Sequence, residues 1–301
     1  MTIPRQSSES FLENYTAALG WLDSLGIKVG QGRMLHYANV LQSWTSSYNS
    51  KNSELARELF PKFASTIFEV PAFIDVYQAF RDIPRDQLGG IIEKLKNSVS
   101  GPYDSSVETP QSSNARNHLF EAVVASKIHH PDQQALVMLD AKSDTGFTLA
   151  SKKVWVECKR VSSHKKLEAN VRKACNQLDV ILRRKLGASN RGLVAIDVSK
   201  LFYPGDDLYV TENESQLEFS TESLLDRFIE DHSEVWQRVY QKKNQKILGT
   251  LFRFSVIATS EEDNLRVHTA QWAVNPRHGL SVAEQSFMQQ LTSCLNAPRL
   301  T

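Results

Sequence analysis

The spacing of apolar residues divides this chain into a helical first third and a mixed remainder. Up to residue 98, apolar side chains recur at intervals of three and four residues, which is the spacing of one helix face. This spacing predicts helices over 11–22, 34–48 and 87–97, and another helix that begins near Glu54. We therefore predict a small all-helical N-terminal domain at 1–98 that selects a substrate or a partner.

The pattern changes after the segment 99–113, which is rich in Ser, Pro and Gly and is a candidate linker. Beyond it, short apolar stretches alternate with helical spacing, which predicts an α/β domain over 114–301. The predicted elements are a helix at 114–128, strands at 136–140, 146–150 and 154–160, a helix at 165–186, a strand at 192–198, a helix at 224–243, strands at 252–259 and 267–274, and a helix at 282–295.

Composition restricts the function only weakly. The chain has 301 residues, of which 41% are hydrophobic and 23% are charged, and its net charge of +1 neither favours nor excludes a nucleic-acid partner. No stretch of about 18 apolar residues is present, so we expect no membrane partner. The first ten residues lack the apolar core of a secretory signal, and the three cysteines are too scattered for a disulfide framework or a zinc site. A reducing cytoplasm is the expected location.

One predicted strand combines buried and charged positions. The sequence VWVECKR at 154–160 begins with apolar residues and ends in charge. Residues two apart share a face of a strand, so Glu157 and Lys159 point the same way as Trp155 and away from Cys158. An acid and an amine inside a sheet are costly to bury unless they have partners or a metal. The pair is a candidate catalytic site, although an exposed strand that alternates Glu and Lys would need no function.

The order helix, strand, strand, strand, helix, strand over 114–198 resembles the core of the restriction-endonuclease-like, or PD-(D/E)xK, nuclease superfamily. That resemblance implies a central mixed sheet flanked by helices, with an Asp at the start of the second strand and an acid-x-Lys triplet on the third. Asp144, just before GFTLA, and Glu157-Cys158-Lys159 match these positions. Ser143 stands in place of the family's proline, and Asp140, at the end of the preceding strand, is an alternative to Asp144.

The resemblance also implies roles for residues around the triplet. Glu121 on the preceding helix and Gln177 on the following helix would complete the catalytic set with Asp144, Glu157 and Lys159. The expected cofactor is Mg²⁺ or Mn²⁺, because phosphodiester hydrolysis needs an oriented water and neutralised charge on the phosphate. Its ligands would be the carboxylates of Asp144, Glu157 and Glu121 and the main-chain carbonyl of Cys158. Lys159 would polarise the attacking water or stabilise the developing charge.

A local excess of positive charge supports a nucleic-acid partner. Residues 151–200 contain 13 Lys or Arg and 4 Asp or Glu, although the whole chain is nearly neutral. On the helix predicted after the triplet, Lys166, Lys173 and Arg184 share one flank of the buried stripe, while Arg172 lies on the outer face. With Arg160, these residues are candidates for contact with a phosphate backbone. A solvated helix face is the alternative explanation.

The sequence therefore predicts a metal-dependent nuclease, with DNA preferred to RNA as the expected substrate and with defence, restriction or repair as candidate roles. Two alternatives remain open. The first is a catalytically inactive nucleic-acid-binding module with a nuclease-like core. The second is a protein-interaction subunit in which the helical domain binds a partner protein or a second copy of the chain.

Overall fold

The structure is a computed structural model, and it describes residues 7–104, 107–109, 112–139, 143–184, 187–202, 209–260 and 266–297. Within these residues, a group of helices precedes a seven-stranded sheet that has helices on its faces. The helices are α1 (Ser8–Ser24), α2 (Gly32–Asn49), α3 (Ser53–Ile67), α4 (Val70–Phe80), α5 (Gly89–Ser98), α6 (Asn114–Ile128), α7 (His164–Arg184), α8 (Ser199–Phe202), α9 (Glu214–Asp231), α10 (Ser233–Tyr240) and α11 (Val282–Asn296). The strands are β1 (Leu136–Val137), β2 (Thr145–Leu149), β3 (Lys152–Arg160), β4 (Asn190–Asp197), β5 (Tyr209–Thr211), β6 (Ile247–Ser260) and β7 (Arg266–Pro276).

Helices α1 to α5 form a helical region around an aromatic core. Tyr15, Tyr37 and Phe73 are fully buried in it, and the rings of Trp44 and Phe63 stack with their centroids 3.9 Å apart. Burial of large aromatic side chains contributes much of the stabilisation of a small helical unit. The four helices predicted in this region are confirmed, although not every apolar position of the pattern is buried, since Leu35 on α2 is 43% exposed.

Helix α6 is the element that joins this helical region to the sheet. Leu119 and Val123 belong to the hydrophobic cluster that contains the core of the helical region. Phe120 and Val124 belong to a second cluster, together with the inner residues of β2 and β3. A helix that is apolar on several sides is expected to be buried on several sides. Since α4 and α5 lie against α6 as well, the helical region packs directly on the α/β part.

The sheet is mixed, with the strand order β1-β2-β3-β4-β6-β5, and β7 pairs with β6. Strands β1, β2 and β3 are antiparallel neighbours, whereas β3, β4 and β6 are parallel. Parallel neighbours need a crossover connection, and α7 supplies the one between β3 and β4. The carboxyl end of β3 consequently lies beside the carboxyl end of β4, where Lys159 is paired with Ile196 and Arg160 with Asp197.

Helix α7 packs on one face of the sheet through its predicted stripe of apolar residues. Leu167, Val171 and Leu178 are almost completely buried, and a Cβ added at Gly192 would lie 3.4 Å from Leu178 and 3.2 Å from Leu182. Glycine at position 192 therefore lets the helix approach β4 closely. The opposite face is covered by α6 and α11. Within the described residues, no helix is long and apolar enough to cross a bilayer.

The predicted α/β class, with a mixed sheet flanked by helices and a helical N-terminal region, is confirmed, but several bounds differ. The strand predicted at 136–140 comprises only Leu136–Val137 within the described residues, and Asp140 lies outside them. The helix predicted at 224–243 begins at Glu214 and divides at His232, whose φ of −105° and ψ of 18° interrupt the helix. The polar residues of 214–223 concealed the early start. Helices α4 and α8 and strand β5 were not predicted.

The segment predicted as a linker is fixed to the sheet by ion pairs. The Glu108 carboxylate is nearly buried and accepts a hydrogen bond from Arg160 at 2.8 Å, and Lys200 also pairs with it. On the other side, the Tyr37 hydroxyl donates to the carbonyl of Tyr103 at 2.8 Å. The chain between α5 and α6 thus contacts both the helical region and the carboxyl ends of β3 and β4.

Candidate active site at the end of strand β3

The pairing of β2 with β3 brings Asp144 and Glu157 together. The last ladder pair is Thr145 opposite Val156, and one further step along the antiparallel register places Asp144 opposite Glu157. Residues opposite each other in an antiparallel pair point to the same face, with Cβ atoms about 5 Å apart. The Asp144 carboxylate also accepts the backbone N–H of Cys158 at 2.7 Å, which fixes its position. Two acids separated in sequence therefore share one side of the sheet.

Lys159 lies between these two acids. Its Nζ is 3.4 Å from Asp144 Oδ2 and 3.5 Å from Glu157 Oε2, and it donates to the main-chain carbonyl of Cys158 at 2.9 Å. The acid-x-Lys spacing places Glu157 and Lys159 on one strand face, and the register of β2 adds Asp144. One ammonium group thus contacts both carboxylates.

Glu157 is the most constrained group of the site. It is only 3% exposed, and among the described residues its Oε2 atom forms no hydrogen bond, although Lys159 Nζ lies 3.5 Å away. Burial, followed by the negative charge of Asp144, raises the pKa of Glu157 to about 8, although Lys159 opposes the shift. A buried carboxylate oxygen without a donor is costly, so this oxygen favours either a proton or a cation.

Glu121 on α6 is electrostatically part of the same cluster. Burial and then the charge of Asp144 raise the pKa of the Glu121 carboxyl group. Lys94, from helix α5, approaches Glu121 Oε2 with its Nζ at 2.5 Å, and His118 Nδ1 lies 3.7 Å from Glu121 Oε1. The site therefore contains three acidic residues and two lysines, and one of these lysines comes from the helical region.

Two further residues from the sequence prediction occupy different surroundings. Cys158 is buried in the cluster on the opposite strand face, where burial raises the pKa of its thiol well above the usual value, so its side chain is a core residue. Gln177 is exposed on α7, and none of the described contacts of Asp144, Glu157 or Lys159 includes it. Its role in the site stays a prediction.

The donor atoms of the site determine which cation it fits. Among the described residues, no group of three or more His, Cys, Asp and Glu side chains is arranged to hold a metal ion. Mg²⁺ is commonly held by one or two carboxylates and keeps several waters. Asp144 and Glu157 would provide that number of carboxylates, and such an ion would also satisfy the Glu157 oxygen that forms no hydrogen bond. Glu121 is held by Lys94 and the Cys158 carbonyl by Lys159.

The basic residues near the site fall into two groups. Lys166, Lys173 and Arg184 are exposed along α7, and 18 residues of helix correspond to about 27 Å between the first and the last. Since α7 begins just beyond the end of β3, this group starts beside the site and leads away from it. Arg172 is exposed but paired with Glu168 at 2.6 Å, and Arg160 is paired with Glu108. Both of these pairs reduce the charge available to a phosphate backbone.

Lys94 and His118 were not predicted as site residues. The spacing of three between His118 and Glu121 on one helix places them on the same face and is a local signal. Nothing local indicates Lys94, because its approach to Glu121 depends on how α5 packs on α6. The chain has no match among protein-family models, curated proteins or solved structures.

The raised pKa of Glu157 predicts how the stability of the metal-free protein depends on pH. Between the ordinary value of 4.5 and about 8, the folded state retains a proton that the unfolded state has lost. The free energy of unfolding is therefore expected to fall as pH rises through this interval, by up to about 1.4 kcal/mol per pH unit from this group. Urea unfolding across this pH range, with EDTA present, measures the slope.

Glu157→Gln provides the matched comparison, because glutamine has nearly the same shape and does not titrate. Its slope is expected to be smaller than that of the wild type, and its stability at pH 8 is expected to be higher. Identical slopes in the two proteins would show that Glu157 does not titrate in this interval.

Proposed function

We propose that this protein is a metal-dependent nuclease that hydrolyses phosphodiester bonds at the cluster of Asp144, Glu157 and Lys159. The observation that supports this most strongly is the position of the Lys159 ammonium within 3.5 Å of both carboxylates, at the edge of a mixed sheet. An isolated Glu-x-Lys pair on a surface strand would have neither a third partner nor a buried acid. The proposed architecture is the restriction-endonuclease-like one, supported by the order α6-β1-β2-β3-α7-β4.

The chemistry assigns a role to each residue. Asp144 and Glu157 would hold the cation, which when bound supplies Lewis acidity toward the phosphate and lowers the pKa of water. Lys159 would donate a hydrogen bond from Nζ to the attacking water or to a phosphate oxygen, and its positive charge would stabilise the charge that develops there. Glu121 would hold a further water of the cation through its carboxylate. The exposed cations of α7 would contact the phosphate backbone next to the cleavage point.

The test is cleavage of plasmid DNA and of labelled single-stranded DNA and RNA by the purified chain. Cleavage is expected with Mg²⁺ or Mn²⁺ and is expected to stop when EDTA is added, since the site has no other source of a Lewis acid. Restoration by excess Mg²⁺ distinguishes loss of the ion from damage to the protein. Cleavage that persists in EDTA would contradict the proposal.

The two alternatives give different results in the same assay. An inactive nucleic-acid-binding module would bind the substrates in a salt-dependent way without cutting them. An interaction subunit would show neither cleavage nor salt-dependent binding. The three charged residues Asp144, Glu157 and Lys159 favour the nuclease, because an inactive core would not need to retain a costly buried acid beside a second acid.

A further inference from the structure

A cleft beside the site is formed jointly by the helical region and the α/β part. It has a volume of about 190 Å³ and opens between α5, α6 and the chain on either side of Asp144. Its polar lining includes Glu93, Lys94 and Asn97 from α5, His118 and Glu121 from α6, and Ser143 before β2. Ser143 and Thr145, which also lines the cleft, are the sequence neighbours of Asp144. The cleft therefore lies next to Asp144 and shares Glu121 with the proposed catalytic cluster.

The polar groups of the cleft are not all hydrogen-bonded among the described residues. The Glu121 side chain is only 12% exposed, and Lys94 Nζ lies 2.5 Å from its Oε2 atom. Among the described residues, no hydrogen-bond partner reaches the buried Nδ1 atom of His118. Lys94 is thus a cation held at one oxygen of the Glu121 carboxylate, and His118 Nδ1 lies 3.7 Å from the other oxygen.

We propose that this cleft binds the nucleic-acid strand next to the cleaved bond and that Lys94 is its phosphate contact. In the absence of a divalent cation Lys94 neutralises Glu121. A cation held by the carboxylates would repel the Lys94 ammonium, and Lys94 would then be able to pair with a substrate phosphate in the cleft. This inference rests on the proposed nuclease function, and it makes the helical region part of the active site.

The matched pair of variants is Lys94→Met and Lys96→Met, since Lys96 is an exposed lysine on the same helix and does not line the cleft. Binding of a fluorescently labelled single-stranded oligonucleotide is followed by anisotropy with Mg²⁺ present, in a Lys159→Met background that keeps the oligonucleotide intact. DNA and RNA oligonucleotides of the same sequence are compared to determine which of the two nucleic acids the cleft binds.

Lys94→Met is expected to weaken binding roughly tenfold and to reduce the slope of log Kd against log salt by about one, because one phosphate contact is lost. Lys96→Met is expected to bind like its parent, and Lys94→Arg is expected to retain binding. Isothermal calorimetry with Mn²⁺ alone is expected to show tighter binding to Lys94→Met than to the parent. If Lys94→Met does not fold, Asn97→Asp, which adds a negative charge to the cleft, is expected to weaken binding in its place.

Unchanged affinity and salt slope for Lys94→Met, or equal losses for Lys94→Met and Lys96→Met, would overturn the cleft proposal. Mn²⁺ binding that is unchanged in Lys94→Met would overturn the exchange at Glu121. The nuclease proposal is tested separately by cleavage with the wild-type chain. If the wild type cleaves and Lys94→Met binds normally, only the cleft proposal is wrong. If the wild type binds through Lys94 but does not cleave, only the nuclease proposal is wrong.

Discussion

Lys159→Met is expected to lower the kcat of phosphodiester cleavage by about a thousandfold or more, which makes it the largest functional effect predicted for this chain. The ammonium group contacts both acids and is the only described cation between them. Removal of one preorganised charge from a buried site of this kind costs about 10²–10³ in rate. An additional loss is expected because Lys159 lowers the pKa of Glu157. Without Lys159, the Glu157 carboxyl group keeps its proton to a higher pH and is less able to hold a cation.

Lys153→Met is the control for this prediction. Lys153 lies on the same strand as Lys159 and, by the alternation of side chains, on the same face, but it is exposed near the start of β3. Cleavage by Lys153→Met is expected to match that of the wild type. Salt-dependent binding of the substrate is expected to persist in Lys159→Met, because most phosphate contacts are made elsewhere. A Lys159→Met protein that cleaves at the wild-type rate would show that this cluster is not the catalytic site.

Glu69→Ala is expected to cause the largest loss of stability, about 3–5 kcal/mol in the free energy of unfolding. Glu69 is 5% exposed and lies between Arg33 and Arg116, which are 2% and 4% exposed. Arg33 donates to its Oε2 atom at 2.9 Å, and Arg116 pairs with Oε1. Loss of this carboxylate leaves two buried guanidinium groups without a counter-ion. Urea unfolding monitored by circular dichroism measures the change.

The control is Glu58→Ala, at an exposed position on α3, where a change within about 0.5 kcal/mol is expected. Because Arg33 belongs to the helical region and Arg116 to α6, the loss from Glu69→Ala is expected to lower the stability of both parts in one transition. Separate transitions, with only the first shifted, would show that the helical region unfolds independently of the sheet. A loss below about 1 kcal/mol would mean that solvent reaches the arginines.

The site was only partly predictable from the sequence. The alternation of side chains along a strand placed Glu157 and Lys159 on the same face, because residues two apart in a strand point to the same side. The role of Asp144 depended on a resemblance, since its place opposite Glu157 is a matter of register between strands. Lys94 was missed, because no spacing along α5 indicates that this helix packs beside Glu121.

The sequence by itself determined most of the local elements of this protein: four of the five N-terminal helices, the stripe on α7 and the change to strands after residue 113. Those features follow from periodicity and side-chain type over a few turns or residues. Tertiary structure alone decided that α6 is shared by two hydrophobic clusters, that Glu108 is fixed to Arg160 and Lys200, and that Lys94 pairs with Glu121. Each of these contacts joins residues far apart in the chain, so it is governed by how complete elements pack and not by the residues that surround it in sequence.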